Sequence, residues 1–140
     1  MLKLTLLALV LAPSIAFAAQ SNPRLDRIER ETQACLDNDE NGSTAGMNGC
    51  LAEGNEKADR LLNETYQKAV KTLKKDKDAD SAERLKRLQA AQRAWIPSRD
   101  ADCTLVGATM LGGSGESTMT LSCLYGKTVE RVKFLDENSL

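Results

Sequence analysis

Four cysteines, Cys35, Cys50, Cys103 and Cys123, restrict the folds open to this chain more than any other feature. Their meaning depends on the compartment, and the N-terminus indicates it. Lys3 supplies a positive start and Leu4 to Ala12 an apolar run. Ala16-Phe17-Ala18 then forms the small-x-small pattern that a signal peptidase cuts. The run is too short for a membrane span, so residues 1–18 read as a leader cut after Ala18. Residues 19–140 remain as a single domain, periplasmic or secreted. No cysteine stands near the cut to take a lipid. In an oxidising compartment, four cysteines in a small chain make two disulfides. Zinc would call for C-x-x-C pairs or histidines, and the chain has neither. Three connectivities are open on these grounds.

The rest of the chain reads as helix, so the expected fold class is all-α. Ser21-Asn22-Pro23 is a helix start, a capping side chain followed by proline in the first turn. Leu25, Ile28 and Leu36 mark a short amphipathic helix that ends at Asp37 to Gly42. Thr44 is positioned to cap a long second helix, whose apolar face is Met47, Leu51, Ala58, Leu62, Tyr66, Ala69 and Leu73. Lysines in Lys74 to Asp78 close it, where the helix dipole favours cations. Asp80 with Glu83 resembles a capping box for a third helix. Its stripe is Leu85, Leu88, Gln92, Trp95, Arg99 and Cys103, and Pro97 inside it predicts a kink. Gly112, Gly113, Ser114 and Gly115 form a flexible connection, and together with Glu116 they make the candidate contact loop. Ser117 or Thr118 then caps a last helix with Leu121, Leu124, Thr128, Val132 and Leu135 on its inner face.

The short turn after Lys75 predicts antiparallel packing of the two long helices, with shorter helices at either end of the chain. Helix rise then sets Asp59 near Arg99, and Asn63 level with Gln92. Asp59, Asn63 and Tyr66 share a face at i, i+4 and i+7. These residues, with Gln92, Trp95 and Arg99, are expected to form a polar seam, with the pairs Asp59–Arg99 and Asn63–Gln92 beside Trp95. A structural network is the favoured role, because every member has a partner within the bundle.

The same residues carry a family resemblance. Thr44-x-x-Met47-x-x-Cys50, Asp59-x-x-Leu62-Asn63-x-x-Tyr66 and Gln92-Arg93-Ala94-Trp95-Ile96 occur in order. Arg99-Asp100-x-x-Cys103, Gly112-Gly113 and Cys123-x-x-x-x-Thr128-x-x-Arg131-x-x-x-Leu135 follow them. This set resembles the LprI-like family, small exported helical proteins named for a lysozyme inhibitor. Pro97 departs from the family pattern. The resemblance implies a disulfide-stapled helical bundle with the pairing Cys35–Cys50 and Cys103–Cys123. It implies lysozyme inhibition for the named member only, which makes a lysozyme-type muramidase one candidate partner here.

Composition narrows the function classes. The chain has no histidine, which removes the commonest general base and the usual partner of a serine or cysteine nucleophile. No enzyme activity and no cofactor are expected. Without the leader the chain carries 18 basic and 20 acidic residues, too even a balance to imply nucleic acid. Asp37, Asp39, Asn41 and Gly42 imitate the first half of a calcium loop, but position twelve is Asn48 where a bidentate glutamate is required. That segment reads as a turn, and no metal is expected. The glycine-rich segment 112–116 is the candidate contact loop, with Ser114, Ser117 and Lys127 as candidate donors toward a muramidase cleft. The competing expectation is a module that binds another envelope protein without inhibiting lysozyme.

Overall fold

A computed structural model describes residues 22–138. The leader and the cut at Ala18 lie outside the described residues. The described residues form four helices: α1 (Pro23–Leu36), α2 (Thr44–Lys75), α3 (Ser81–Gly107) and α4 (Glu116–Asn138). Two 3-10 turns, Asp39–Asn41 and Ala108–Met110, shape the connections, and there is no strand among the described residues. None of the described helices is long and apolar enough to cross a membrane.

Local chemistry accounts for the helix ends. The Asn22 side chain accepts from the backbone N–H groups of Arg24 and Leu25, with Pro23 in the first turn. Ser43, and not Thr44, caps α2: its backbone is extended and its hydroxyl accepts from Gly46 N at 3.1 Å, while Thr44 is already helical. The expected box on α3 does not form. Asp80 has helical backbone angles and makes no capping bond. Asp76 organises this turn instead. Its carboxylate accepts from Ser81 Oγ at 2.8 Å, Asp78 N at 3.1 Å and Arg84 Nη2 at 3.2 Å. At the other end of the bundle α4 begins at Glu116, so this residue belongs to the helix and not to the contact loop. The helix α3 continues through Pro97 as one element.

Both staples are present, Cys35–Cys50 and Cys103–Cys123, so every cysteine is bonded. They close segments of 15 and 20 residues, each worth about 3 kcal/mol in chain-entropy terms. The first ties the end of α1 to the start of α2, and the second ties the end of α3 to the start of α4.

At 32 residues, α2 is about 48 Å long and serves as the central support. The core joins Ala58, Leu61 and Leu62 of α2 to Leu25 of α1 and to Val129, Val132 and Leu135 of α4. The principal partner of α2 is therefore α4, with α3 lying more against α4 than against α2. The reason is in the side chains. On α3 only Ser81, Gln92, Cys103 and Gly107 are buried, and Leu85 and Leu88 are half-covered. A helix with so narrow an apolar face cannot take the inner position that α4 takes with valine and leucine.

Gly54 explains how closely α1 approaches α2. A Cβ there would lie 2.4 Å from Thr32 Oγ1 and 2.8 Å from Thr32 Cγ2, and Thr32 is itself buried. Helix propensity alone would make Gly54→Ala stabilising by about 1 kcal/mol. Overpacking costs about 1–3 kcal/mol, so the clash decides the sign. Gly54→Ala is expected to lower the urea midpoint, and Gly54→Ala with Thr32→Ala to recover most of the loss. A second expectation concerns acid. The Ser81 hydroxyl, chiefly, and the Asp78 N–H hold the Asp76 carboxyl below the usual carboxylate range. Its contribution is complete at neutral pH and is lost as pH falls through that lowered value. A melting-temperature series from neutral to acid pH should fall less steeply for Asp76→Asn.

Candidate functional site

The seam is built around Arg99. Its side chain is 12% exposed and reaches across three helices. Nη1 donates to Asp59 Oδ1 on α2 at 2.8 Å and to Thr128 Oγ1 on α4 at 3.1 Å, while Nε donates to Asp100 Oδ1 at 2.9 Å. Thr128 is fully buried, and its hydroxyl donates in turn to Leu124 O at 2.7 Å. Asp59 is 44% exposed, so its ion pair with Arg99 is part-screened by water.

Trp95 stands beside this network between two guanidinium groups. Arg99 Cζ lies 5.0 Å from its ring centre and Arg131 Cζ 5.4 Å. Arg131 also covers the Phe134 ring at 4.9 Å, and its Nε donates to Gln92 Oε1 at 3.0 Å. The expected Asn63–Gln92 pair is thereby replaced. A charged donor is the stronger partner for the Gln92 oxygen, and Asn63 is exposed, about 100° around α2 from the buried Leu62. Arg131 and Thr128 are the members that sequence reasoning left out of the seam. A signal existed for Thr128, which stands on the expected inner stripe of α4, and Arg131 follows it three residues on in the motif Thr128-x-x-Arg131.

Asp59, Asn63, Tyr66, Gln92, Trp95 and Arg99 nonetheless line one open groove, together with Leu62 and Ile96, of about 270 Å³. The groove offers an aromatic face, amides and a hydroxyl. Its one carboxylate, Asp59, is engaged by Arg99. No second acid stands in the groove to complete an acid–base pair.

The candidate contact loop lies at the far end of α3 and α4. Gly112 takes φ of +75°, a left-handed conformation that suits glycine. The Glu116 carboxylate turns back to accept from Gly112 N at 2.9 Å, closing the loop on itself. Ser114 and Ser117 are exposed. Lys127 is not a loop donor, because it pairs with Asp102 on α3 at 2.9 Å, well down α4. The composition-based reading of this loop missed its apolar flank. Leu105 and Leu111 are 72% and 77% exposed, and Met110 and Met119 are also exposed. The Thr118 hydroxyl bonds Asn48 Oδ1 at 2.6 Å, anchoring the start of α4 to α2.

The segment from Asp37 to Gly42 is arranged as a turn. Asn41 Nδ2 donates to Cys35 O at 3.0 Å, and Asp37 Oδ1 accepts from Gln33 Nε2 at 2.8 Å. Among the described residues, no three histidine, cysteine or acidic side chains converge as a metal site would need.

Comparison with known proteins supplies a relationship for the whole arrangement. A family model described as "Lysozyme inhibitor LprI" matches residues 35–135, which include both staples, the seam and the contact loop. An uncharacterized protein of Rhizobium meliloti (strain 1021) is 37% identical over 101 residues, covering 68% of this chain and 73% of its own. No solved structure matches.

The geometry separates the two partners of the seam's ion pair. Arg99→Ala removes three hydrogen bonds and one face of the Trp95 stack, and should cost about 2–4 kcal/mol. Asp59→Asn loses only a part-exposed ion pair and should cost under about 1 kcal/mol. Urea denaturation of both variants, followed through Trp95 emission, checks the ranking.

Proposed function

The chain belongs to the lysozyme inhibitor LprI family, and from this we propose that it is an exported, non-enzymatic protein that binds a lysozyme-type muramidase and blocks its cleft. Export is supported by the leader pattern of residues 1–18 and by the two disulfides. A role without catalysis is supported by a chain that has no histidine and whose cysteines are all bonded.

The observation that carries the reading is the tip between α3 and α4. Solvent-facing leucine and methionine side chains at one end of a small protein mark an interaction surface. Here Leu105, Met110, Leu111 and Met119 are grouped in sequence around a glycine loop. The Cys103–Cys123 bridge brackets that loop, and Thr118–Asn48 anchors it. A loop held in place before binding loses little conformational entropy on binding. A muramidase cleft is lined by catalytic carboxylates. The exposed Ser114 hydroxyl is a donor suited to such acids, while the N–H groups of Gly112 and Gly113 are held within the loop by the Glu116 carboxylate and the Met110 carbonyl. Leu111 and Met110 would supply apolar contact at the rim.

The test is turnover of a cell-wall substrate by lysozymes of several types with the purified oxidised protein added. Inhibition is expected for at least one type, weakened at least about tenfold by Leu111→Asp with no change in melting temperature. Absence of inhibition by the parent protein at large molar excess would remove the reading. A pulled-down envelope partner of another kind would then favour a non-inhibitory binding module.

A further inference from the structure

A second groove, of about 280 Å³, lies at the opposite end of the bundle from the tip, where α3 begins and α4 ends. Arg131 on its wall is 15 positions along α4 from Glu116, about 22 Å of helix rise. Leu73, Leu88, Ala91, Phe134 and Leu135 make its walls apolar. Three arginines, Arg84, Arg87 and Arg131, stand among them.

Their charges are not equally matched. Arg84 is paired with Asp76 and Asp78, and Arg87 with Glu83. Arg131 has no carboxylate partner among the described residues; its named acceptor is the neutral amide of Gln92. It is half-buried between two aromatic rings, and burial lowers its pKa. A guanidinium does not lose its proton in a protein, so a desolvated one is stabilised by gaining an acceptor. Two buried donors lining this groove, Arg131 Nη2 and Arg84 Nε, find no acceptor among the described residues.

We propose that this groove binds an amphipathic monocarboxylate, with its carboxylate on Arg131 and its apolar body against Leu88, Ala91 and Phe134. One unmatched positive charge calls for one negative charge, and a carboxylate gives the Arg131 guanidinium a charged acceptor where it now has only a neutral amide. The apolar walls exclude a small hydrated anion as the full ligand. The volume is nearly twice the ~150 Å³ of an apolar cavity that admits benzene, room for an aryl or medium-length alkyl group. This site is separate from the lysozyme-binding tip and stands whether or not lysozyme is inhibited.

Trp95 is the chain's sole tryptophan and packs on Arg131, so it reports the site through that guanidinium. Decanoate, kept below its micelle concentration, is titrated into the purified oxidised protein, with decanol as the uncharged control. A saturable change in Trp95 emission is expected with decanoate, at least tenfold weaker with decanol and with Arg131→Gln. Amide shifts should cluster at residues 84–91 and 131–138. Phe134→Ala, at an exposed position, should weaken binding about fivefold without loss of fold. Equal responses to decanol and decanoate, undiminished binding by Arg131→Gln, or absence of saturation would overturn the proposal. If Arg131→Gln does not fold, the shift map of the parent protein decides, and shifts centred on the α3–α4 tip would overturn it.

Discussion

The Arg99 guanidinium joins α3 to α2 and α4 at once. A helix with few buried apolar residues gains little from burial, so it needs another form of attachment. Arg99 provides it by bonding Asp59 on α2 and Thr128 on α4. Because the Thr128 hydroxyl and the Arg99 nitrogens are removed from water, each bond is strong only while the others are made. Trp95 covers the cluster and extends it through Arg131 to Phe134. The apolar core of α1, α2 and α4 and the polar tie to α3 are thus two distinct layers of stabilisation.

This division explains where the molecule presents itself to partners. The α3–α4 pair is stapled at one end by Cys103–Cys123, and there the chain exposes leucine and methionine around a closed glycine loop. At the other end it is joined by the Asp76-centred turn, and an apolar groove opens beneath Phe134. The central seam holds the two ends at fixed separation. Its own groove presents a neutralised ion pair, which suits support better than chemistry. The family match spans all of these parts.

Much of this was legible from residue types. The helix-period stripes of α2 and α4 named most of the buried residues on those two helices, because a 3.6-residue repeat of apolar side chains leaves few ways to pack. The lapses were local competitions. Ser43 displaced Thr44 as a cap because a cap needs extended backbone, which a residue already in the helix lacks. Asp76 displaced Asp80 because a turn carboxylate could reach a hydroxyl, a backbone N–H and an arginine together. Lys127 went to Asp102, an acid on the facing helix that spacing within α4 could not reveal.

The sequence by itself determined the helical elements, the need for two staples and the meeting of Asp59 with Arg99 beside Trp95. Those follow from periodicity, from compartment chemistry and from helix rise, all of which act over short stretches of chain. Tertiary structure alone decided that α4 and not α3 fills the inner position, that Gln92 answers to Arg131 while Asn63 faces water, and that Arg131 has no acid partner among the described residues. The physical reason is angular. One residue turns a helix by about 100°, so which of two neighbours faces a partner is set by how whole helices settle against one another.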